Sequence, residues 1–232
     1  MPQIALVTAA SQGIGAATAR ELADDGYQVV LMARSDSVHT LARELGGRAV
    51  TGSVTDPGDL ARLVDLAGDE FGRIDAVVNN TGHPPKGELL DLTDDDWHAG
   101  LDMVLLNVVR MARMVTPMMK QQGRGAIVNV STFAAYEPRP AFPVSATLRA
   151  ALGSFAKLYS DRYAPHGIRM NNVLPGFVDS YAIDEATRQE IPLGRPATTT
   201  EIAKTIRFLL STDAGYMTGQ NIRVDGGITR SV

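Results

Sequence analysis

The sequence contains no cysteine, which excludes disulfides, thiolate metal sites and thiol catalysis and fits a reducing compartment. It has no excess of positive charge. Lys and Arg number 22 against 26 Asp and Glu, a net charge of −4, so no surface for nucleic acid or another polyanion is expected. The four histidines are scattered and make no metal-ligand pattern. No apolar run approaches the roughly 18 residues of a membrane span, and no basic-then-apolar leader precedes the first strand. Linkers, repeats and low-complexity segments are missing too. What remains is 232 residues, 44% apolar and 21% charged, enough for one domain with a sizeable core. We expect a single domain over residues 1–232, cytoplasmic and free of metal, without a membrane or nucleic-acid partner.

The stretch that organises the rest is Ile4-Ala-Leu-Val-Thr8-Ala-Ala-Ser-Gln-Gly-Ile-Gly15. An apolar β-type run reaches a turn of small residues, and the turn opens a helix expected over Ala16–Asp24. Glycines there let backbone N–H groups approach a pyrophosphate, and the helix N-terminus adds partial positive charge. Further strands are expected at 27–33, 48–53, 75–79, 125–131, 169–174 and 221–225. Between them lie helices at about 38–45, from Asp56-Pro57, at about 93–121, at about 145–163, and from a Thr200 cap to about 210. The 93–121 helix is apolar on most sides and is expected to be buried. Continuous apolar strands alternating with helices predict an α/β fold: a doubly wound, Rossmann-type parallel sheet of about seven strands, covered by helices on both faces. Ligands then bind at the carboxyl ends of the strands. The stretch 177–197 has little regular pattern and lies just past one such end, which makes it the candidate substrate lid.

Several segments together resemble the short-chain dehydrogenase/reductase family over essentially the whole chain. Thr8-Ala-Ala-Ser-Gln-Gly-Ile-Gly15 is similar to its TGxxxGIG, with Ala9 in place of the first glycine. Asn79-Asn-Thr-Gly82 resembles NNAG, and Asn107 falls where the family has an active-site Asn. Ile127-Val-Asn-Val-Ser-Thr132 resembles the strand that ends in the catalytic Ser. Pro175-Gly-Phe-Val-Asp-Ser180 resembles the PG-x-V-x-T segment that holds cofactor. Met217-Thr-Gly-Gln220 and Val224-Asp-Gly-Gly227 match the carboxyl-terminal signature. The resemblance implies a nicotinamide-dependent oxidoreductase of a small molecule, and a homo-oligomer, tetramer or dimer, joined through the long helices and the last strand. The cofactor would be held by Thr8, Ala10, Ser11, Gln12, Gly13, Ile14, Asn80, Gly82, Pro175, Gly176, Val178 and Ser180.

The expected active site departs from that pattern. In the family a Tyr follows the Ser by 13 residues, and a Lys follows the Tyr by four. Counted from Thr132, those positions hold Ser145 and Arg149, and no Tyr-x-x-x-Lys occurs anywhere in the chain. A phenol titrates near 10, far below a serine hydroxyl, and an arginine keeps its charge at all relevant pH. What survives is a cluster of donors: Thr132, with Ser145 and Arg149 at i and i+4 on one helix face, beside Asn107. Such donors stabilise an oxyanion without acting as a strong acid, and the loss of both Tyr and Lys leaves a nucleotide-binding protein without turnover as the alternative. The segments Asn80–Lys86 and Phe142–Ser145 resemble Tyr-lacking members of the family that add hydride to a conjugated carbonyl compound.

A substitute acid has three candidates at the substrate end. His83 follows the Asn79–Gly82 segment and titrates in the right range, though a solvated loop histidine is the alternative. Tyr136, four residues past Thr132, and Tyr181, in the lid, are phenols that equally suit a plain pocket lining. Lys86 reads as surface charge, and the methionines at 103, 111, 114, 118 and 119 read as core or subunit contact. For the cofactor, the second strand ends at Ala33 where a carboxylate would mark NAD, and Arg34 and Ser35 follow. A guanidinium suits a 2′-phosphate, so NADPH is favoured over NADH. Ser53 stands where an adenine-contacting Asp is usual in the family.

Overall fold

The computed structural model describes residues 2–231. Seven strands are present: β1 (Ile4–Thr8), β2 (Gln28–Ala33), β3 (Arg48–Thr51), β4 (Ala76–Asn79), β5 (Gly125–Val130), β6 (Ile168–Pro175) and β7 (Asn221–Val224). They form one parallel sheet in the order β3-β2-β1-β4-β5-β6-β7. The chain winds outward from β1 in one direction and then, through β4, in the other. The switch point between β1 and β4 is where such a sheet opens a crevice for a ligand. Its register is set by apolar residues buried on both faces, with Leu6 opposite Val30 on one side and Val77 on the other.

One face carries α1 (Gly13–Asp24), α2 (Ser37–Glu44) and α8 (Thr199–Leu210), packed through Leu22, Leu41, Ile202 and Ile206. The other carries α3 (Pro57–Phe71), α5 (Asn107–Gln122) and α6 (Pro143–Tyr163), packed through Leu63, Met111, Met119 and Tyr159. The Asp56 carboxylate caps α3 by accepting from Gly58 N at 2.7 Å, with Pro57 in the first turn. Two further helices, α4 (Asp94–Leu101) and α7 (Glu185–Glu190), flank the mouth of the site.

Five expectations need correction. Helix α1 begins at Gly13, because the glycine turn itself forms the first helical turn. The long helix is not continuous: α4 and α5 are joined by a π-helical turn, Asp102–Leu106. Nor is it buried on most sides, since Arg113, Pro117 and Lys120 of α5 are exposed. Helix α8 is capped by Thr198 rather than Thr200, in a reciprocal box with Glu201. The segment 177–197 contains α7, where the Asp184 carboxylate accepts from Thr187 N.

An amide ladder crosses the sheet on the α5–α6 face. Asn79 Nδ2 donates to Asn129 Oδ1 at 2.9 Å, Asn129 to Asn172 at 2.8 Å, and Asn172 to Asn221 at 2.6 Å. The four residues are register partners on β4, β5, β6 and β7. Each buried amide therefore finds its partner one strand over, which a buried polar group needs. The ladder fixes the relative height of the four strands whose carboxyl ends carry the site.

Candidate active site

The cleft starts at the β1–α1 turn. Gly13 adopts φ +57°, and a Cβ on Gly15 would lie 2.3 Å from the Ala9 carbonyl oxygen, so only glycine fits there. Ala9 takes φ 48°, the left-handed region, with a side chain to accommodate. Gln12 occupies the N-cap of α1 without a side-chain bond, which leaves the first-turn amides open to a ligand. This turn fits the pyrophosphate of a dinucleotide. Ser11 is half-buried and Gln12 exposed beside it, with Ile14 half-buried. Two neighbours expected to touch cofactor, Thr8 and Ala10, also hold the turn in place. Thr8 Oγ1 donates to Asn80 O at 2.7 Å and accepts from Asn80 N at 2.9 Å. Ala10 N donates to Met32 O at 3.0 Å. Asn80 Nδ2 in turn donates to Ala9 O at 3.3 Å.

At the end of β2, Arg34 is exposed and forms no hydrogen bond or ion pair with a described residue. Ser35 Oγ shares a 2.9 Å bond with Ser37 Oγ. Ser53 N donates to Asp59 Oδ2 at 2.7 Å, so a carboxylate is near the adenine end, though from α3. At the end of β6, Pro175 is buried, and a Cβ on Gly176 would meet Asp225 Cα at 2.8 Å. Val178 pairs with Ala197, and Ser180 Cβ stands 3.7 Å from where a Cβ on Gly13 would be. The chain after β6 thus crosses directly over the phosphate turn.

Four side chains expected in catalysis lie around the ends of β5 and α6. Asn107 opens α5 behind the π-helical turn, and its Nδ2 donates to Met103 O. Its Oδ1 is buried and has no partner among the described residues, a costly state that a bound water or ligand group would relieve. Thr132 Oγ1 accepts from Ala134 N at 3.4 Å, which keeps the hydroxyl proton free. Arg149 Nε donates to Ser145 Oγ at 3.3 Å, and its Nη1 donates to Val130 O. Arg149 is only 6% exposed and has no carboxylate partner among the described residues. Burial lowers its pKa to about 10, so it remains a cation at neutral pH.

The mouth is lined from both sides. Gly82 is exposed in the loop after β4, where the His83 ring meets the Tyr181 ring with centroids 4.9 Å apart and planes at 59°. Desolvation, then the charges of Lys86 and Arg149, hold the His83 imidazole below its usual pKa, so it is neutral at pH 7. Lys86 Nζ sits 5.3 Å over the ring of Phe142, the residue before α6. Of the three tyrosine and histidine candidates, Tyr136 is not brought to this pair. Arg223 stacks on it at 5.5 Å, and it lines an open groove of about 590 Å³ along α6 that Arg149 also borders. The short helical turn Phe133–Ala135 carries Tyr136 round to that side.

Sequence reasoning missed how the lid is tied down. Arg139 Nη1 donates to Glu190 at 2.6 Å and lies 5.1 Å over the Phe133 ring. Ile191 is buried in a small cluster with Phe133 and Ile228. With Val178 and Ala197 joined at the other end, residues 179–182 and most of α7 are exposed between the two ties. An arginine and a glutamate 51 residues apart give no local signal that they meet.

The chain is similar to known proteins along nearly its whole length. Residues 8–229 match the family model described as enoyl-(acyl carrier protein) reductase. The short-chain reductase protein NovJ of Streptomyces niveus is 34% identical, over 97% of this chain and 93% of its own. A 3-oxoacyl-[acyl-carrier-protein] reductase of Synechocystis is 35% identical, over 97% and 96%. Among solved structures, YwfH, an NADPH-dependent reductase involved in bacilysin biosynthesis, superposes with TM-score 0.94 at 26% identity, covering 100% of both chains. The L-sorbose reductase from Gluconobacter frateurii, solved with NADPH and L-sorbose, gives 0.92 at 28% identity, covering 100% of this chain and 98% of that one. Relatives of this closeness, matched along nearly the full length, show that the chain belongs to the short-chain dehydrogenase/reductase family and is an oxidoreductase of its NAD(P)H-dependent kind.

Proposed function

We propose that this chain is an NADPH-dependent reductase of a conjugated carbonyl compound, working by oxyanion stabilisation, and that it acts as a cytoplasmic homo-oligomer. One observation carries the chemistry: the place of the family's tyrosine is held by Ser145, bonded to a buried Arg149 that no carboxylate of the described residues neutralises. Bound along the Gly13 turn, NADPH would supply a hydride. The residues around it are suited to hold negative charge on a substrate oxygen rather than to protonate that oxygen. Arg149 places a cation beneath the site, and Thr132 and Ser145 keep hydroxyl protons to donate. Reduction of a simple carbonyl needs a proton on the oxygen itself. Hydride addition to the far carbon of an enone leaves an enolate, which these donors stabilise until carbon is protonated. The family description and the NADPH-dependent relative YwfH support both halves of the reading. Arg34, unpaired at the end of β2, supports the 2′-phosphate.

The test is kinetic. Removing one oxyanion donor commonly costs about 100-fold or more in kcat. Arg149→Met and Ser145→Ala are each expected to lower NADPH oxidation with conjugated enones by about that factor, with NADPH affinity kept within a few-fold. Unchanged kcat in both variants would remove the donor cluster from the mechanism.

A further inference from the structure

The donor cluster leaves a proton unaccounted for, and the tyrosines can be placed one by one. Tyr27 and Tyr159 are buried, the second bonded to Thr116 Oγ1 at 2.6 Å. Tyr163 packs on Tyr159 and His166. Tyr216 is fully exposed beyond α8. Tyr136 is held under Arg223 in a groove that Arg149 also lines, but it meets neither the His83 ring nor the Gly13 turn. That leaves Tyr181. It follows Ser180, which packs over the Gly13 turn, and its ring rests on His83 across the mouth. The His83 loop in turn reaches the start of α6, where Lys86 Nζ lies 5.3 Å over the ring of Phe142. Tyr181 therefore stands between the phosphate turn and the loop that reaches the start of α6, on the exposed tip of a lid whose stem is pinned by Val178–Ala197 and Arg139–Glu190.

We propose that Tyr181 is the general acid, a phenol moved from the α6 helix to the lid, and that His83 is its positioning residue. This rests on the reductase reading above. When the conjugated substrate has gained hydride at its far carbon, the double-bond electrons lie on the carbonyl oxygen as an enolate. The enolate re-forms the carbonyl and takes the Tyr181 Oη proton at the adjacent carbon. The phenolate left on Tyr181 is reprotonated from water. NADPH loses two electrons and the substrate gains them together with the two hydrogens. The neutral His83 ring gives Tyr181 an apolar face to rest on, so the proton is offered only while the lid is down.

Two measurements test this. The first needs no turnover: with ring-labelled tyrosine, the Tyr181 NMR resonance, assigned by Tyr181→Phe, is expected to shift on NADP⁺ binding and on His83→Ala, while that of Tyr136 stays still. An unmoved Tyr181 resonance in both cases overturns the placement. The second is the pH dependence of NADPH oxidation with 2-cyclohexenone. Tyr181→Phe keeps the ring contact but is expected to lower kcat by about 100-fold, within the usual span for a general acid, and to abolish the alkaline limb. His83→Phe is expected to retain more kcat than His83→Ala. A Tyr181→Phe enzyme with wild-type kcat and pH profile, or an alkaline limb lost in Lys86→Met instead, refutes Tyr181 as the acid and leaves the reductase reading standing. Wild-type protein that binds NADPH yet oxidises it with neither enones nor ketones refutes both together.

Discussion

At the residue scale the phosphate turn carries the clearest strain. Ala9 sits at φ 48° where the family motif has glycine, and a left-handed residue with a Cβ costs roughly 1–2 kcal/mol. Ala9→Gly relieves that cost but returns freedom to the unfolded chain, so a net gain of about 1 kcal/mol is expected. For a chain of this length it would appear as a melting temperature higher by about 2–4 °C. A lower one would show that the turn holds Ala9 without strain. Arg34 makes a separate prediction, because its guanidinium faces solvent with no partner among the described residues. Arg34→Ala is expected to weaken NADPH binding at least 10-fold and to leave NADH binding within two-fold, read by titration of each nucleotide. An unchanged ratio removes Arg34 from cofactor choice. Both residues were legible in the sequence, since their place follows from strand ends and a glycine spacing. The orphaned Asn107 Oδ1 was only half legible: its position came from the family resemblance, but the π-helical turn that isolates it leaves no sequence mark.

At the element scale, strands and helices were read to within a few residues because their apolar periods differ. The joint between α4 and α5 was not, because one extra residue in a helical turn hardly changes the pattern. The lid shows the same limit: Asp184 is a good cap for α7, yet six residues between prolines and glycines looked irregular. The amide ladder was invisible for another reason. Four asparagines on four strands become neighbours only when the register is known. Asn129 sits at its centre, with a partner on either side. Asn129→Val would leave Asn79 and Asn172 each short of a partner, and each lost bond of this kind costs about 1–3 kcal/mol. Denaturant unfolding is expected to show a loss of at least about 2 kcal/mol. A neutral outcome would mean that the register does not depend on the ladder.

At the scale of the whole molecule, the doubly wound sheet does two things. It brings the β1–α1 turn, the loop after β4 and the segment after β6 to one edge, and it buries α6 so that Arg149 is held as a cation under that edge. The fold was readable because every level of the sequence agrees with it. The site was readable only in part, because the resemblance named positions and the replaced residues had to be judged by their own chemistry. No helix of the described residues is long and apolar enough to cross a membrane. The exposed side of α5 and the outer flank of α6, with Leu158 68% exposed, suit the contact between copies that the resemblance implies.

The most direct measurement follows the hydride itself. NADPH carrying deuterium at the transferable C4 position is given with an enone, and the product is read by NMR. Deuterium on the carbon far from the carbonyl, with the carbonyl retained, is the expected result. Deuterium on the carbonyl carbon, giving an allylic alcohol, would contradict a site built to hold an enolate.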